Sequence, residues 1–318
     1  MELHQLRYVM AVSRTGNFSR AAELCHVSQP SLSQQIQKLE EELGERLFTR
    51  LKREAVPTAA GRALIIRAGR ILQDVEAAQR EVADSGGKVQ GVVNLGVLPT
   101  IAPHLLPEAI MRFQQAFPAV EIVIQERTTA QLLVLAAACE LDLAVMSLPI
   151  HDDRFVVEAL FTEDLLLALP PGHRLATRKQ VRLQEVEDER FILLQEGHCL
   201  GDQALRFCDR HQCHPTVSFR TAQLETIQSL VAAGAGISLM PRMACHHDRL
   251  HQPAYVPIAD PCPQRTIAVL WRKEHHLNRA AAALLEVLRS ATHGMQPGAA
   301  AHGKKPGRQP RAGMARVS

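Results

Sequence analysis

Residues 18–40 read Phe18-Ser-Arg-Ala-Ala-Glu-Leu-Cys-His-Val-Ser-Gln-Pro-Ser-Leu-Ser-Gln-Gln-Ile-Gln-Lys-Leu-Glu40, the pattern of two short helices joined by a tight turn. Small Ala21 and Ala22 let the helices approach closely, while Leu24, Val27, Leu32 and Ile36 supply a compact interior. Ser28 is placed to cap the second helix, and Pro30 falls in its first turn, where a missing N–H costs nothing. Beyond this start, the outward Gln29, Ser31, Ser33, Gln34, Gln35 and Lys38 are short or amide-bearing hydrogen-bonders of the kind that read base edges and phosphates in a major groove. Solvated glutamines on a helix bundle are the plain alternative. Downstream, Arg46-Leu-Phe-Thr-Arg50, Lys52, Arg53 and Thr58-Ala-Ala-Gly61 form a basic turn suited to following the adjacent phosphate backbone as a wing, with Arg50 and Arg53 as candidate contacts.

Before this stretch, Leu3, Leu6, Val9, Met10 and Val12 mark one more short helix; after it, a long helix is predicted from Thr58 to about Lys88. Its apolar positions Leu64, Ala68, Ile71, Val75, Ala78 and Val82 are spaced alternately four and three apart. A seam this narrow is suited to pairing with a second copy rather than to lying on a globular core, and predicts a dimer. Past Ser85-Gly-Gly87, β-type runs (Val92–Val97, Val120–Gln125, Leu141–Met146) alternate with helical ones (Leu105–Ala116, Gln131–Ala138), a βαβ pattern implying a parallel sheet. The alternation resumes at Leu165–Leu169, Phe191–Leu194, Val217–Arg220, Leu224–Ala233, Ile237–Leu239, Ile267–Trp271 and Leu277–Arg289, enough chain for two α/β lobes.

Composition bounds the function. With 22% charged and 46% apolar residues among 318, and no apolar run approaching the roughly 20 residues of a bilayer span, a folded protein of two or three units that does not enter membranes is expected. The N-terminus lacks the pattern of a secretory signal, so the cytoplasm is the expected compartment. Seven cysteines without regular spacing argue against a structural disulfide framework, so that any disulfide is regulatory. The net charge is only +3, but residues 1–90 and the last 25 are richer in Arg and Lys than the middle. From His293 onward Gly, Pro and basic residues without apolar periodicity predict a disordered tail.

The first 62 residues resemble the winged helix-turn-helix of the LysR-type transcriptional regulators. The resemblance rests on Leu6-Arg7-Tyr8, Gly16-Asn-Phe-Ser19, Ala21-Ala22, Val27-Ser-Gln-Pro-Ser31, Gln35-Ile36, Leu39-Glu40, Leu43-Gly44, Leu47-Phe48, Arg50 and Thr58-Ala-Ala-Gly61. It continues through Ala233-Gly-Ala-Gly-Ile-Ser-Leu-Met-Pro241 and covers about residues 1–292; Pro57, where the family more often has Leu, is a departure at the wing. The resemblance implies an all-α winged helix-turn-helix (1–58) and a linker helix for dimerisation (59–88). A two-lobed, periplasmic-binding-protein-like α/β effector domain follows (89–292), with lobe I about 89–163 and 265–292 and lobe II about 164–264, before the basic tail (293–318). It further implies a regulator rather than an enzyme, without metal or cofactor, whose partners are double-stranded promoter DNA, RNA polymerase and further copies of itself, up to a tetramer.

The signal is sought in Gln195-Glu-Gly-His-Cys-Leu-Gly-Asp-Gln-Ala-Leu-Arg-Phe-Cys208. If Leu200–Cys208 is helical, nine steps from Cys199 carry the second sulfur about 13 Å along the axis and to the opposite face. A disulfide tolerates Cα atoms only up to about 7 Å apart, so joining Cys199 to Cys208 requires the segment to unfold. His198 or a helix N-terminus beside Cys199 would lower its pKa and raise the reactive thiolate fraction. This segment resembles the sensing loop of the hydrogen-peroxide-responsive members of the LysR family. The resemblance implies Cys199 as the peroxide-reacting and Cys208 as the resolving cysteine. Carried over by motif, Thr100 (Gly96-Val-Leu-Pro-Thr100), His198, Asp202 and Arg265 would position peroxide, relay protons and stabilise thiolate. Gly201 stands where the family often has a basic residue, which weakens the helix.

Two rivals stand beside this reading. A small organic effector could bind between the lobes, with both cysteines ordinary half-buried residues, or Cys199 could serve a thiol peroxidase. The enzyme leaves the helix-turn-helix and the seam unexplained. The groups His211, Cys213, His214 and Cys245-His-His-Asp248 with His251 lack a recognised metal-ligand spacing, so no metal is expected; Cys25, Cys139 and Cys262 are expected to be structural.

Overall fold

The computed structural model describes residues 1–51, 54–83, 89–195, 197, 199–245, 252–259, 261–274 and 276–293. Helix α1 (Leu3–Thr15) is closed by Gly16 at φ 62°, and α2 (Phe18–Leu24) starts where the Asn17 side chain accepts from the Ser19 and Arg20 N–H groups. Helix α3 (Gln29–Leu43) starts on Ser28, whose hydroxyl accepts from Ser31 N–H, and ends at Gly44 with φ 71°. Such caps contribute about 1 kcal/mol each, because they satisfy backbone donors that the helix itself cannot. A tight interior of Val9, Val12, Ala21, Ala22, Leu32, Ile36, Leu39, Leu47 and Phe48 holds the three helices together. The wing is the antiparallel pair β1 (Phe48–Arg50) and β2 (Ala55–Pro57). Glycine is required at Gly61, where a Cβ would lie 2.0 Å from the Leu47 carbonyl oxygen.

Helix α4 (Ala59–Ala83) follows. Leu64, Ala68 and Ile71 of the expected pairing seam pack with Leu6 and Met10 of α1, and Ala68 is fully buried there. This first half of the seam therefore lies on the chain's own globular head. The packing corrects the expectation that it is reserved for a second copy. The side chains of Ala78 and Val82, the Ser85-Gly-Gly87 break and the tail beyond His293 lie outside what is described.

The rest is α/β: β3 (Gly91–Val97), α5 (Ala102–Ala116), β4 (Val120–Glu126), α6 (Thr129–Ala137), β5 (Leu143–Ser147), β6 (Phe155–Leu169), β7 (Arg190–Leu194), α7 (Cys199–Arg210), β8 (Thr216–Thr221), α8 (Leu224–Ala232), β9 (Ser238–Pro241), β10 (Ala254–Pro257), β11 (Gln264–Arg272) and α9 (Arg279–Thr292). Strands β4, β3 and β5 are parallel, but β11, β6, β9 and β10 join antiparallel. The sheet is thus mixed, where the β–α alternation predicts a parallel one. The cause is β6, a 15-residue strand whose first two-thirds are patterned half-buried and whose last third is apolar throughout. It runs from one hydrophobic core, containing Val93, Leu95, Leu143, Val145, Ile267 and Leu284, where it pairs with β11, into a second, containing Leu167, Leu169, Phe191, Leu193, Ile237 and Leu239, where it pairs with β9 and β10. Two cores joined by one long strand make a two-lobed α/β unit.

Candidate functional site

Cys199 is the first residue of α7, half-buried and packed against the core of the first lobe. Burial is the largest influence on its thiol and pushes the pKa up, and the Asp202 carboxylate adds to the rise. The Thr129 hydroxyl, the Arg265 guanidinium and the Leu200 backbone N–H act the other way, in favour of thiolate. Desolvation wins in this state. The backbone at the helix N-terminus and the Arg265 guanidinium act in the expected direction but are outweighed, and His198, the cation expected beside the thiol, is not among the described residues. The Thr129 hydroxyl, near enough to influence the thiol, makes no well-formed hydrogen bond of its own.

Arg265, on β11, is the largest fully buried side chain among the described residues. Its Nε donates to Glu163 Oε1 at 2.8 Å, its Nη1 to Thr100 Oγ1 at 3.1 Å, and its Nη2 to the Thr100 carbonyl at 3.3 Å and to Met243 Sδ at 3.4 Å. Glu163 in turn accepts from Met243 N–H at 2.8 Å. A buried cation is tolerable only with its charge matched and its donors used, and β6 supplies the carboxylate for that purpose. Three of the four residues carried over by motif, Thr100, Asp202 and Arg265, are thereby brought to the Cys199 end of α7; His198 lies outside the described residues.

Four participants escape the sequence reading: Thr129, Glu163, Met243 and Gln203. Gln203 Nε2 donates to Ser147 Oγ at 2.9 Å and to the Leu148 carbonyl at 2.7 Å, tying α7 to the first lobe, while its Oε1 is buried without a partner. A signal did exist for Glu163: two adjacent acids, Glu163 and Asp164, lead into the apolar run Leu165–Leu169. Asp164 is likewise paired, accepting from Arg242 at 2.8 Å and Gln264 at 3.0 Å.

Cys208 sits at the other end of α7 on the opposite face, 1% exposed in the core of the second lobe beside Cys213. Burial pushes its thiol up to about 12. The cysteines are thus inserted into different cores and held apart by the intact 12-residue helix, nine rises of about 1.5 Å along its axis. Gly201 allows α7 to lie close on β7: a Cβ there would meet the Leu194 carbonyl oxygen at 2.8 Å.

On the helix-turn-helix, Ser28, Gln29, Pro30, Ser31, Gln34 and Lys38 are exposed along α3. Ser33 and Gln35 are half-buried and engaged within the head: Arg50 donates to Ser33 Oγ at 2.9 Å, and Gln5 to Gln35 Oε1 at 3.3 Å. Arg50 also lies over the Phe18 ring at 4.4 Å, which fixes the wing against α2. Arg53 lies outside the described residues. No group of metal-ligating side chains and no membrane-spanning helix occurs among the described residues; His246, His247, Asp248 and His251 are not among them.

Residues 3–62 match the family described as bacterial regulatory helix-turn-helix protein, lysR family, and residues 86–292 match the LysR substrate binding domain. The DNA-binding transcriptional dual regulator OxyR of Escherichia coli (strain K12) is 36% identical over 295 residues, covering 92% of this chain and 97% of that protein. The hydrogen peroxide-inducible genes activator of Dickeya chrysanthemi is 37% identical over 273 residues, covering 86% and 90%. Among solved structures, a full-length OxyR variant from Pseudomonas aeruginosa superposes with a TM-score of 0.76 at 32% identity, covering 91% of this chain and 98% of that one. A hydrogen-peroxide-bound OxyR variant from Corynebacterium glutamicum has a TM-score of 0.60 at 29% identity, covering 92% and 94%.

Proposed function

The chain belongs to the LysR family of transcriptional regulators, and on that premise we propose that it responds to hydrogen peroxide through a reversible Cys199–Cys208 disulfide. The observation that carries this reading is the placement of the two thiols at opposite ends and faces of one helix, each in a different lobe's core. A bond between them is incompatible with α7, so its formation must remodel the second lobe. The relatives named for peroxide support the choice of oxidant.

In the chemistry, the Cys199 thiolate attacks one peroxide oxygen. An S–O bond forms, the O–O bond breaks, and hydroxide leaves to take a proton. Thr100, Asp202 and Arg265 position peroxide and balance the charge that develops, with Thr129 and Gln203 as further polar groups at that end of α7. The Cys208 thiolate then attacks the sulfenic sulfur; the S–S bond forms and a second water leaves. Helix α7, which must unwind for the bond to close, is thereby held unwound, and the altered lobe changes the spacing of paired DNA-binding heads. In those heads α3 enters the major groove through Gln29, Ser31, Gln34 and Lys38, with Arg50 and the wing at the backbone. The acting species is a cytoplasmic homo-oligomer, a dimer or tetramer, that touches RNA polymerase at the promoter; its domains divide near residues 58 and 88.

The test is thiol mapping by mass spectrometry after brief stoichiometric peroxide, paired with a footprint on DNA upstream of the gene. A Cys199–Cys208 linkage with a changed footprint, both lost in Cys199→Ser, is expected. Unreacted Cys199 with an unchanged footprint would refute the proposal and favour a small-molecule effector.

A further inference from the structure

The second lobe holds a thiol that the switch does not use. Cys213 lies just past the end of α7, 1% exposed, in the same apolar cluster as Cys208. Its backbone N–H donates to the Cys208 carbonyl at 3.0 Å, and Gln212 turns the chain there with φ 57°. A turn closed in this way brings its end Cα atoms within the about 7 Å that a disulfide tolerates. Burial holds both thiols up, and of the pair only Cys213 is drawn back down by its neighbour, Cys208 being pushed further up by Cys213.

We propose that Cys213 is a third redox cysteine that takes Cys208 away from Cys199, leaving a Cys208–Cys213 disulfide and a free Cys199. The Cys213 thiolate attacks the Cys208 sulfur of the Cys199–Cys208 bond; a new S–S bond forms, the old one breaks, and Cys199 leaves as thiolate and takes a proton. No further oxidant is needed, since the two electrons have already passed to hydrogen peroxide. The direction follows from geometry. A Cys199–Cys208 bond keeps α7 unwound, whereas a bond across the turn after Cys208 leaves the helix free to re-form. Exchange therefore ends the remodelled state while parking the oxidation in the core until a cellular dithiol reduces it. Cys199 as the peroxide-reacting thiol is taken from the preceding proposal; the pairing of Cys208 with Cys213 stands on its own geometry.

Trypsin separates the three cysteines, because Arg190, Arg206, Arg210 and Arg220 bound peptides 191–206, 207–210 and 211–220. Full-length protein is given one equivalent of hydrogen peroxide, quenched by alkylation at intervals and mapped without reduction. The 191–206/207–210 link should appear first and then decay by more than tenfold as the 207–210/211–220 link grows. In Cys213→Ser the first link should persist. A first link that persists equally in both proteins overturns the exchange. A second arm treats Cys199→Ser with the thiol oxidant diamide: formation of the 207–210/211–220 link supports the pairing, and its absence overturns the proposal even if peroxide chemistry at Cys199 is intact. A link formed with diamide but no reaction of Cys199 with peroxide would instead sink the preceding proposal and leave the pair standing.

Discussion

Replacing Ala204 with glycine should hasten closure of the Cys199–Cys208 bond by about twentyfold without changing the first reaction of Cys199 with peroxide. Ala204 lies in the middle of α7, 2% exposed, in the core of the second lobe. Glycine in a helix interior costs about 1 kcal/mol relative to alanine, and a buried methyl contributes about 0.8 kcal/mol. Both shift the balance toward the unwound state, since the lost methyl weakens the helical packing and glycine adds conformational freedom to the unwound chain. Together they come to just under 2 kcal/mol, and about 1.4 kcal/mol is a factor of ten, so the unwound population rises about twentyfold. If closure proceeds from that population, its rate rises in proportion. The assay is rapid quench with alkylation, following sulfenic acid at Cys199 and the 191–206/207–210 link separately. Unchanged sulfenic acid formation with faster linkage is expected. A linkage rate within twofold of the parent, in a variant whose thermal stability has fallen, would refute the idea that unwinding of α7 gates the switch.

Other predictions follow from the buried charges and the DNA-facing helix. Glu163→Gln leaves the Arg265 cation buried without its counter-charge, so global stability should fall by about 3–5 kcal/mol, read from urea unfolding; a loss below about 1 kcal/mol would contradict the pairing. Because burial raises the Cys199 pKa, the peroxide rate should climb about tenfold per pH unit below that pKa, and a flat profile between about pH 6 and 8 would show a thiol already ionised. For Cys208 the folded thiol, at about 12, holds its proton longer than the unfolded one at about 8.5. Its contribution is therefore complete below about pH 8.5 and lost as pH rises toward 12, and Cys208→Ala should flatten the alkaline fall in thermal midpoint across that window. Lys38→Ala should weaken binding to operator and unrelated DNA alike and reduce the salt slope by about 1 in a titration series; a loss confined to one base position would assign Lys38 to base reading instead.

Much of this protein is written locally. Gly16, Asn17, Ser28, Pro30 and Gly44 mark where helices begin and end because each acts on the backbone groups of its own turn, so the helix-turn-helix is legible from about 40 consecutive residues. The opposition of Cys199 and Cys208 is equally local, since nine steps at the helical period decide their faces. What links residues far apart was decided only by tertiary structure. Glu163 reaches Arg265 across 102 positions, and Thr100 reaches it across 165. No periodicity encodes such a pairing; it follows from β6 and β11 lying antiparallel with Glu163 opposite Arg265. The same holds for α4, whose spacing reads as a pairing seam until α1 is seen covering Ala68. The Cys199 pKa shows the difference most plainly. Its neighbours in sequence predict a lowered value, but the first-lobe core packed over it removes water, and desolvation exceeds the favourable charges. Sequence specifies the groups and their local directions, while burial and long-range charge matching depend on which distant surfaces the folded chain presses together.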